Sequence, residues 1–251
     1  MKGFFPIWKR ELFALFATPL FWVLAVVFLF VQGLHFYVIV DQFASASAMP
    51  TDQTPLQAFF GNTSIFYLVL FLVIPPLTMR TFAEERRSGT IETLVTAPVS
   101  DVAVVLAKYA AVLVTYVAMW LPTVLYLFVL RRAGGVDFRI AGAAYLGVLL
   151  VGAGYLSVGT FASAATRSPF VALLVTAFVL LVLFVMGLSE FVVREGTLAH
   201  DVASHVSVWS QMAEFSSGIV DSRRLVFDGT LIVFPLYLAI AVVRGWKEGT
   251  G

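Results

Sequence analysis

The sequence predicts an all-α integral membrane protein with six transmembrane helices, an amphipathic helix at its N-terminal end and a cytoplasmic helical segment between spans two and three. Composition is the first reason: 60% of the residues are hydrophobic and 12% are charged, whereas an ordinary soluble domain has roughly 25% charged residues. The second reason is six apolar stretches, since a helix needs roughly 20 residues to cross a hydrocarbon core. The third is the helical spacing of apolar residues in the flanking segments.

The six stretches form one predicted transmembrane domain that covers residues 1–251. They run over residues 20–40, 60–79, 102–130, 140–165, 169–189 and 226–243. The third stretch is overlong, so its first turns are expected at the membrane interface, where the long side chain of Lys108 can reach the lipid headgroups. Pro75 and Pro76, near the end of the second stretch, predict a kink or a helix end because proline removes a backbone hydrogen bond.

The distribution of charge predicts that both ends of the chain lie in the cytoplasm. An even number of spans puts both ends on one side, and ten of the 16 lysines and arginines then fall on that side, as the positive-inside rule requires. Arg131 and Arg132 run against this bias. A cleaved signal peptide is the alternative for the first span, but its apolar run of about 21 residues exceeds the roughly 7–15 residues of a signal sequence.

Three segments outside the stretches have predicted structure of their own. Residues 1–19 form an amphipathic helix at the cytoplasmic interface. The charges of this helix are Lys9, Arg10 and Glu11. Residues 81–100 form a polar cytoplasmic segment. Residues 190–225 form an outer segment that is re-entrant or lies as an amphipathic helix in the outer leaflet, because apolar residues recur at helical spacing over 205–221.

The polar residues of the spans argue against an enzyme and against an ion channel. The apolar runs are almost free of charged residues, and the chain contains no HExxH metal motif and no GxSxG nucleophile motif. It has no cysteine and three histidines, and no basic face that would bind nucleic acid. Any cavity would therefore be lined by apolar, aromatic and hydroxyl groups, which suit a lipidic or amphipathic substrate.

Two other functions are compatible with these observations. One is a membrane anchor of a larger complex that transports nothing. The other is an intramembrane lipid-modifying enzyme that uses polar residues of the outer segment. Those residues are Glu190, His200, Asp201 and His205.

The densest cluster of charges lies in the segment 81–100. Its first predicted helix carries Glu84, Glu85, Arg86 and Arg87. Gly89 permits a turn with positive φ, and Thr90 can cap a second helix, which Pro98 ends. The apolar side of that second helix is Ile91, Leu94 and Val95. A plain stop-transfer loop would also be polar, but it would not need this arrangement of helix, turn and stop.

The same segment resembles permeases of the ABC-2 type, the type-2 ATP-binding-cassette exporters. The matching residues are Glu84, Glu85, Arg86, Gly89, Thr90, Glu92, Leu94, Pro98, Val99 and Ser100, followed by Lys108. Two positions depart from the family pattern, since Ala107 stands where Gly is common and Val95 replaces a second Leu. A looser match resembles the family's re-entrant region and comprises Phe215, Gly218, Val220, Asp221 and Arg224. Within the family, the chain looks most like the permeases named for gliding motility.

The resemblance implies that residues 84–98 form a coupling helix. In the family this helix docks in a groove of a cytoplasmic ATPase and relays the closure of its nucleotide dimer to the spans. Glu84 and Glu85 would pair with basic residues of the ATPase, and the charges of the N-terminal helix would flank the same surface. The implied coupling residues are Glu84, Glu85, Arg86, Arg87, Gly89, Thr90, Glu92 and Leu94.

The resemblance also implies a set of partners. The chain has no Gly-x-x-x-x-Gly-Lys-Ser/Thr phosphate loop, so ATP and Mg would be bound by a separate ATPase subunit, and this chain would hold no cofactor and catalyse no reaction by itself. A second permease, identical or related, would complete the path, with periplasmic or auxiliary membrane proteins as further partners. The expected activity is export of a lipidic, amphipathic or polymeric substrate across the cytoplasmic (inner) membrane of a bacterium or archaeon.

Four glycines of the fourth span predict close helix packing. Gly147 and Gly154 are seven residues apart, as are Gly152 and Gly159. The two members of each pair therefore share one face of the helix, where the absence of a side chain lets a neighbouring helix approach closely.

Overall fold

The predicted all-α fold class is confirmed. The computed structural model describes residues 3–45, 54–61, 64–90, 99–134, 137–194 and 196–248, and no strand occurs among them. The helices are α1 (Phe4–Ala17), α2 (Pro19–Ala44), α3 (Pro55–Gly61), α4 (Ser64–Thr78), α5 (Ala83–Ser88), α6 (Asp101–Trp120), α7 (Val124–Gly134), α8 (Phe138–Ala165), α9 (Pro169–Leu188), α10 (Leu198–Val206), α11 (Val208–Ser216) and α12 (Ser222–Glu248). Short 3-10 turns occupy Leu121–Thr123 and Ser189–Phe191.

Six of these helical stretches are long and apolar enough to cross a membrane. They are Pro19–Ala44, Ile65–Ser88, Asp101–Arg131, Phe138–Ala165, Pro169–Phe191 and Ser222–Trp246. Their order along the chain is that of the six predicted stretches. The second stretch differs at its start, because Phe60, where it was predicted to begin, belongs to the separate helix α3 and is buried there.

Local sequence signals explain several helix ends. Ser100 caps α6, because its hydroxyl accepts a hydrogen bond from the Ala103 amide at 3.3 Å, and Asp137 caps α8 through the Arg139 amide. In α4 the helix continues past Pro75 and Pro76 and ends at Thr78. Pro122 lies in the 3-10 turn that separates α6 from α7, so the overlong third stretch is two helices joined at a proline.

The centre of the bundle is α8, which packs against α4, α6, α9, α11 and α12. Each of its four predicted packing glycines lies against a side chain of a different helix, and an added Cβ would be crowded at every one of them. The contacting pairs are Gly147 with Phe215 of α11, Gly152 with Tyr116 of α6, Gly154 with Leu231 of α12 and Gly159 with Thr78 of α4. A central helix with such a small-residue surface lets all these neighbours approach closely.

Three spans lie at the outside of the bundle. Between 22% and 28% of the residues are buried in the spans of α2, α9 and α12, whereas 61% are buried in the second, third and fourth spans. Large apolar side chains are exposed on these three helices and include Trp22, Phe30, Phe178 and Phe234. Because water would make such a surface costly, this exposure fits a perimeter covered by lipid.

The segment between α9 and α12 folds back onto the bundle. The apolar spacing over residues 205–221 is divided between two helices, because Ser207 ends α10 and its hydroxyl caps α11 through the Ser210 amide. Met212 and Phe215 of α11 are each 1% exposed, and α11 packs against α3 and α8. The apolar side of α11 is therefore buried against protein, whereas Leu198 and Val202 of α10 are exposed.

Candidate functional site

The short helix α5 is fixed to the end of α8 by hydrogen bonds between backbone groups and the Ser163 side chain. The amides of Phe82 and Ala83 donate to the hydroxyl of Ser163 at 3.0 and 3.1 Å, and that hydroxyl donates to the carbonyl of Met79 at 3.0 Å. Ser163 is fully buried. Because buried amides are costly to leave without partners, this serine determines where α5 begins.

Arg86 ties α5 to two further places. Its guanidinium donates to the carbonyls of Ala164 and Thr166 at 3.1 and 3.2 Å, at the end of α8, where helix carbonyls have no intrahelical partner. The same group lies 4.9 Å from the centre of the Trp246 ring in α12, a cation–π distance. Arg86 therefore joins α5, α8 and α12.

Four charged side chains join α5 to α1 and α6; we call them the four-charge cluster. They are Arg10, Glu11, Glu85 and Lys108. Lys108 Nζ lies 3.2 Å from Glu11 Oε1 and 3.0 Å from Glu85 Oε1. Arg10 Nη2 lies 2.7 Å from Glu11 Oε1 and 3.2 Å from Glu85 Oε1. Each cation thus contacts both carboxylates, and the formal charge of the cluster is zero.

The side chains of the four-charge cluster differ in how deeply they are buried, from Lys108, the most buried, to Arg10, the most exposed. The side chain of Lys108 is 1% exposed and those of Glu11 and Glu85 are 19% exposed, whereas that of Arg10 is 61% exposed. The hydrogen bond to Glu11 is the main reason that the pKa of Arg10 is raised. A buried ammonium group requires opposite charges close by, and Glu11 and Glu85 supply them to Lys108.

The expected position of Lys108 at the lipid headgroups is wrong. Its Nζ is enclosed by the two carboxylates and lies 5.2 Å from the centre of the Phe82 ring. The side chain points into the junction of α1, α5 and α6 because Glu11 and Glu85 compensate its charge there. The signal that could have found this was the pair of acidic segments on either side of the first two spans.

The other implied coupling residues differ in exposure. Glu84 and Arg87 are exposed on α5, and Lys9 is exposed on α1. Gly89 ends α5 with a φ of 76°, a conformation that favours glycine, and the Thr90 hydroxyl lies 2.9 Å from that of Ser88. Glu92 and Leu94 lie outside the described residues, as does the rest of the predicted second helix, Ile91, Val95 and Pro98.

A cleft of 270 Å³ opens beside the four-charge cluster. Its apolar wall comes from the spans and includes Leu20, Phe21 and Leu24 of α2, Leu77 of α4 and Val112 of α6. Its polar wall includes Arg80 and Glu84 together with Glu11, Glu85 and Lys108. The cleft is therefore amphiphilic, with its apolar part on the membrane spans and its charged part on the segments that flank them.

A second polar cluster lies between α11 and α12, and sequence reasoning identified only one of its members, Arg224. Arg224 donates to both carboxylate oxygens of Glu214, at 3.0 and 2.8 Å, and to the Ser204 carbonyl at 2.7 Å. One turn further along α12, Asp228 is 1% exposed and accepts a hydrogen bond from Gln211 at 2.5 Å. Arg224 appeared in the looser family match, whereas Asp228 was overlooked although it lies within the predicted last span.

The four polar residues considered for lipid chemistry lie on two neighbouring elements, the 3-10 turn Ser189–Phe191 and α10. Glu190 accepts a hydrogen bond from Ser210 of α11 at 2.5 Å. His200, Asp201 and His205 lie on α10, where the Nδ1 of His205 lies 2.7 Å from the Asp201 carbonyl and Asp201 is 67% exposed. Within the described ranges no group of three or more histidine, aspartate or glutamate residues could hold a metal ion.

Comparison with known proteins adds a family-level match. Residues 39–216, well over half of the 251-residue chain, match the family described as "ABC-2 family transporter protein". The matched region includes α5, α6 and α8, and therefore Glu85 and Lys108 of the four-charge cluster. No curated protein matches the chain.

Proposed function

The chain belongs to the ABC-2 family of transporters, and we propose that it is a permease subunit driven by a separate ATP-binding-cassette ATPase that docks at α5. The ATPase would bind the ATP and Mg. The observation that carries this proposal is the anchoring of α5, a six-residue helix that contacts α1, α6, α8 and α12 through charged or buried polar groups.

The anchoring of α5 suggests how motion would reach the spans. Ser163 and Arg86 hold α5 to the end of α8, and the four-charge cluster holds it to the beginning of α6 and to α1. A helix so attached cannot shift by itself without breaking buried polar contacts, each of which is costly to lose. A push on α5 would therefore displace the spans together.

The exposed and enclosed charges of α5 would have different roles. Glu84 and Arg87 are exposed, so we assign them to docking with the ATPase. Glu85 and Arg86 have partners within the chain, so we assign them to transmission. The resemblance implied that Glu84 and Glu85 both pair with the ATPase. In the present proposal only Glu84 of these two does so.

We infer a second permease subunit, identical or related. The central helix α8 of this bundle is surrounded by closely packed neighbouring helices, so a substrate path is more easily formed between two bundles than through one. The apolar outer surfaces of α2, α9 and α12 are available for lipid or for that second subunit. The same proposal has three further parts. The substrate is lipidic, amphipathic or polymeric and is exported, and the chain is related to gliding-motility permeases. The membrane is the cytoplasmic (inner) membrane, with both ends of the chain in the cytoplasm. These parts rest on the sequence resemblance and the charge bias.

The docking assignment is tested by purifying the tagged chain from its native membrane in mild detergent and identifying co-purifying proteins by mass spectrometry. An ATP-binding-cassette ATPase should be present in an amount comparable to the chain. Joint reversal of two exposed charges, Glu84→Arg with Arg87→Glu, should release it. The matched control is Arg223→Glu, an exposed charge at the opposite end of the bundle, which should retain it.

Two results would contradict the proposal. A chain that never co-purifies with an ATPase would point to a non-transporting anchor. An ATPase retained after the double charge reversal would show that docking occurs elsewhere on the chain.

A further inference from the structure

We propose that the amphiphilic cleft beside the four-charge cluster binds one phospholipid of the surrounding bilayer, and that it selects a headgroup with a primary amine, as in phosphatidylethanolamine. The inference goes beyond the proposed transport function. It requires only that the chain lies in a bilayer.

The position of the cleft matches the boundary between acyl chains and headgroups. Leu20, Phe21 and Leu24 are at the beginning of α2, and Leu77 is at the end of α4. Trp22, next to them, is 60% exposed and donates its indole N–H to the Phe16 carbonyl at 3.0 Å. Tryptophan side chains at span ends typically lie at the headgroup level, so the cleft is open to molecules of the adjoining leaflet.

The apolar wall fits the upper part of an acyl chain. Leucine, phenylalanine and valine side chains of three spans line it, and the volume of 270 Å³ is smaller than a whole phospholipid. The glycerol region and the first methylene groups of one chain would enter the cleft, and the rest of the lipid would remain in the bilayer. Burial of apolar lipid surface against these side chains supplies the non-specific part of the affinity.

The polar wall includes one cation and one anion that are not compensated by another charge in the described part of the chain. Arg80 and Glu84 both line the cleft, both are exposed, and neither forms an ion pair with any residue in the described part of the chain. In contrast, the charges of Glu11, Glu85 and Lys108 are compensated within the four-charge cluster. A ligand that carries one negative and one positive group would complement Arg80 and Glu84.

The exposed carboxylate of Glu84 favours a hydrogen-bond donor as the positive group, because hydrogen bonds to an ionised carboxylate are the strong ones. A primary ammonium can donate to Glu84, while the lipid phosphate accepts from Arg80. A quaternary ammonium, as in phosphatidylcholine, has no N–H to donate, and phosphatidylglycerol has no cation.

The test is native mass spectrometry of the purified chain in detergent, titrated separately with dioleoyl phosphatidylethanolamine, dioleoyl phosphatidylcholine and dioleoyl phosphatidylglycerol. One phosphatidylethanolamine molecule should be retained, roughly tenfold more tightly than either other lipid, the ratio expected when one charge-assisted contact is lost. Equal retention of the three lipids, or retention of none, would overturn the proposal.

Variants locate the site. Ala14 is exposed on α1 and lines the cleft, so Ala14→Trp should fill it and abolish the tight binding, whereas Ala17→Trp, at an exposed position of the same helix outside the cleft, should not. Arg80→Gln with Glu84→Gln should remove the preference for phosphatidylethanolamine, and Arg87→Gln should preserve it. Undiminished, selective binding by Ala14→Trp would contradict the assignment. The measurement uses this chain alone, so its outcome does not depend on any ATPase.

Discussion

At the scale of single residues, Lys108 is the side chain with the strongest constraint. It is 1% exposed and has two carboxylates within 3.2 Å, and both compensate its positive charge. Glu11 and Glu85 come from two separate elements, α1 and α5. Moving α1 or α5 away from α6 would leave the Lys108 ammonium group without an opposite charge, which is energetically costly. Lys108 therefore holds these three helices together.

Removing both carboxylate charges should destabilise the protein strongly. Glu11→Gln with Glu85→Gln leaves Lys108 buried without an anion, which costs about 3–5 kcal/mol and should lower the midpoint of thermal unfolding in detergent by on the order of 10 °C. Either single variant should lose less, because one carboxylate remains. Glu84→Gln, which changes an exposed neighbour, is the control; an equally stable double variant would show that Lys108 does not need the cluster.

At the scale of helices, the arrangement depends on how closely α8 approaches its neighbours. Gly159 lies against Thr78 of α4, and a Cβ at position 159 would be 2.7 Å from the Thr78 Cβ. Thr78 is fully buried, and its hydroxyl donates to the Ile74 carbonyl at 2.9 Å. Neither α4 nor α8 can move at this contact without disturbing the turn that leads to α5. The packing of α8 therefore also positions the candidate docking helix.

A pair of glycine substitutions on α8 separates packing from helix propensity. Gly159→Ala should destabilise the protein by about 1–3 kcal/mol because it overpacks the contact with Thr78. Gly142→Ala, at an exposed position of α8 with no atom within 4 Å of an added Cβ, should stabilise it by up to about 1 kcal/mol because alanine favours the helix. Thermal unfolding of both variants measures the difference, and similar changes in both would refute a tight α8–α4 contact.

At the scale of the whole molecule, the sequence predicted what depends on local composition. The number and order of the spans follow from apolar stretches in the sequence. The central position of α8, the enclosure of Lys108 and the burial of Asp228 depend on contacts between residues far apart in the chain. Periodicity carries no information on such contacts, so the sequence alone placed Lys108 at the headgroups instead.

The proposed role of the four-charge cluster, to transmit the motion of a docked ATPase to the spans, can be examined by exchanging two of its charges. The measurement is ATP turnover by the ATPase alone and in complex with each variant in nanodiscs. We expect Lys108→Glu and Glu85→Lys each to keep the ATPase bound but to abolish the effect of the permease on ATP turnover. The combined variant, Lys108→Glu with Glu85→Lys, restores a neutral cluster and should recover the effect of the permease on ATP turnover. Single variants that affect ATP turnover as the unaltered protein does would contradict this role of the cluster. A folded exchange variant that leaves ATP turnover unaffected would contradict it as well.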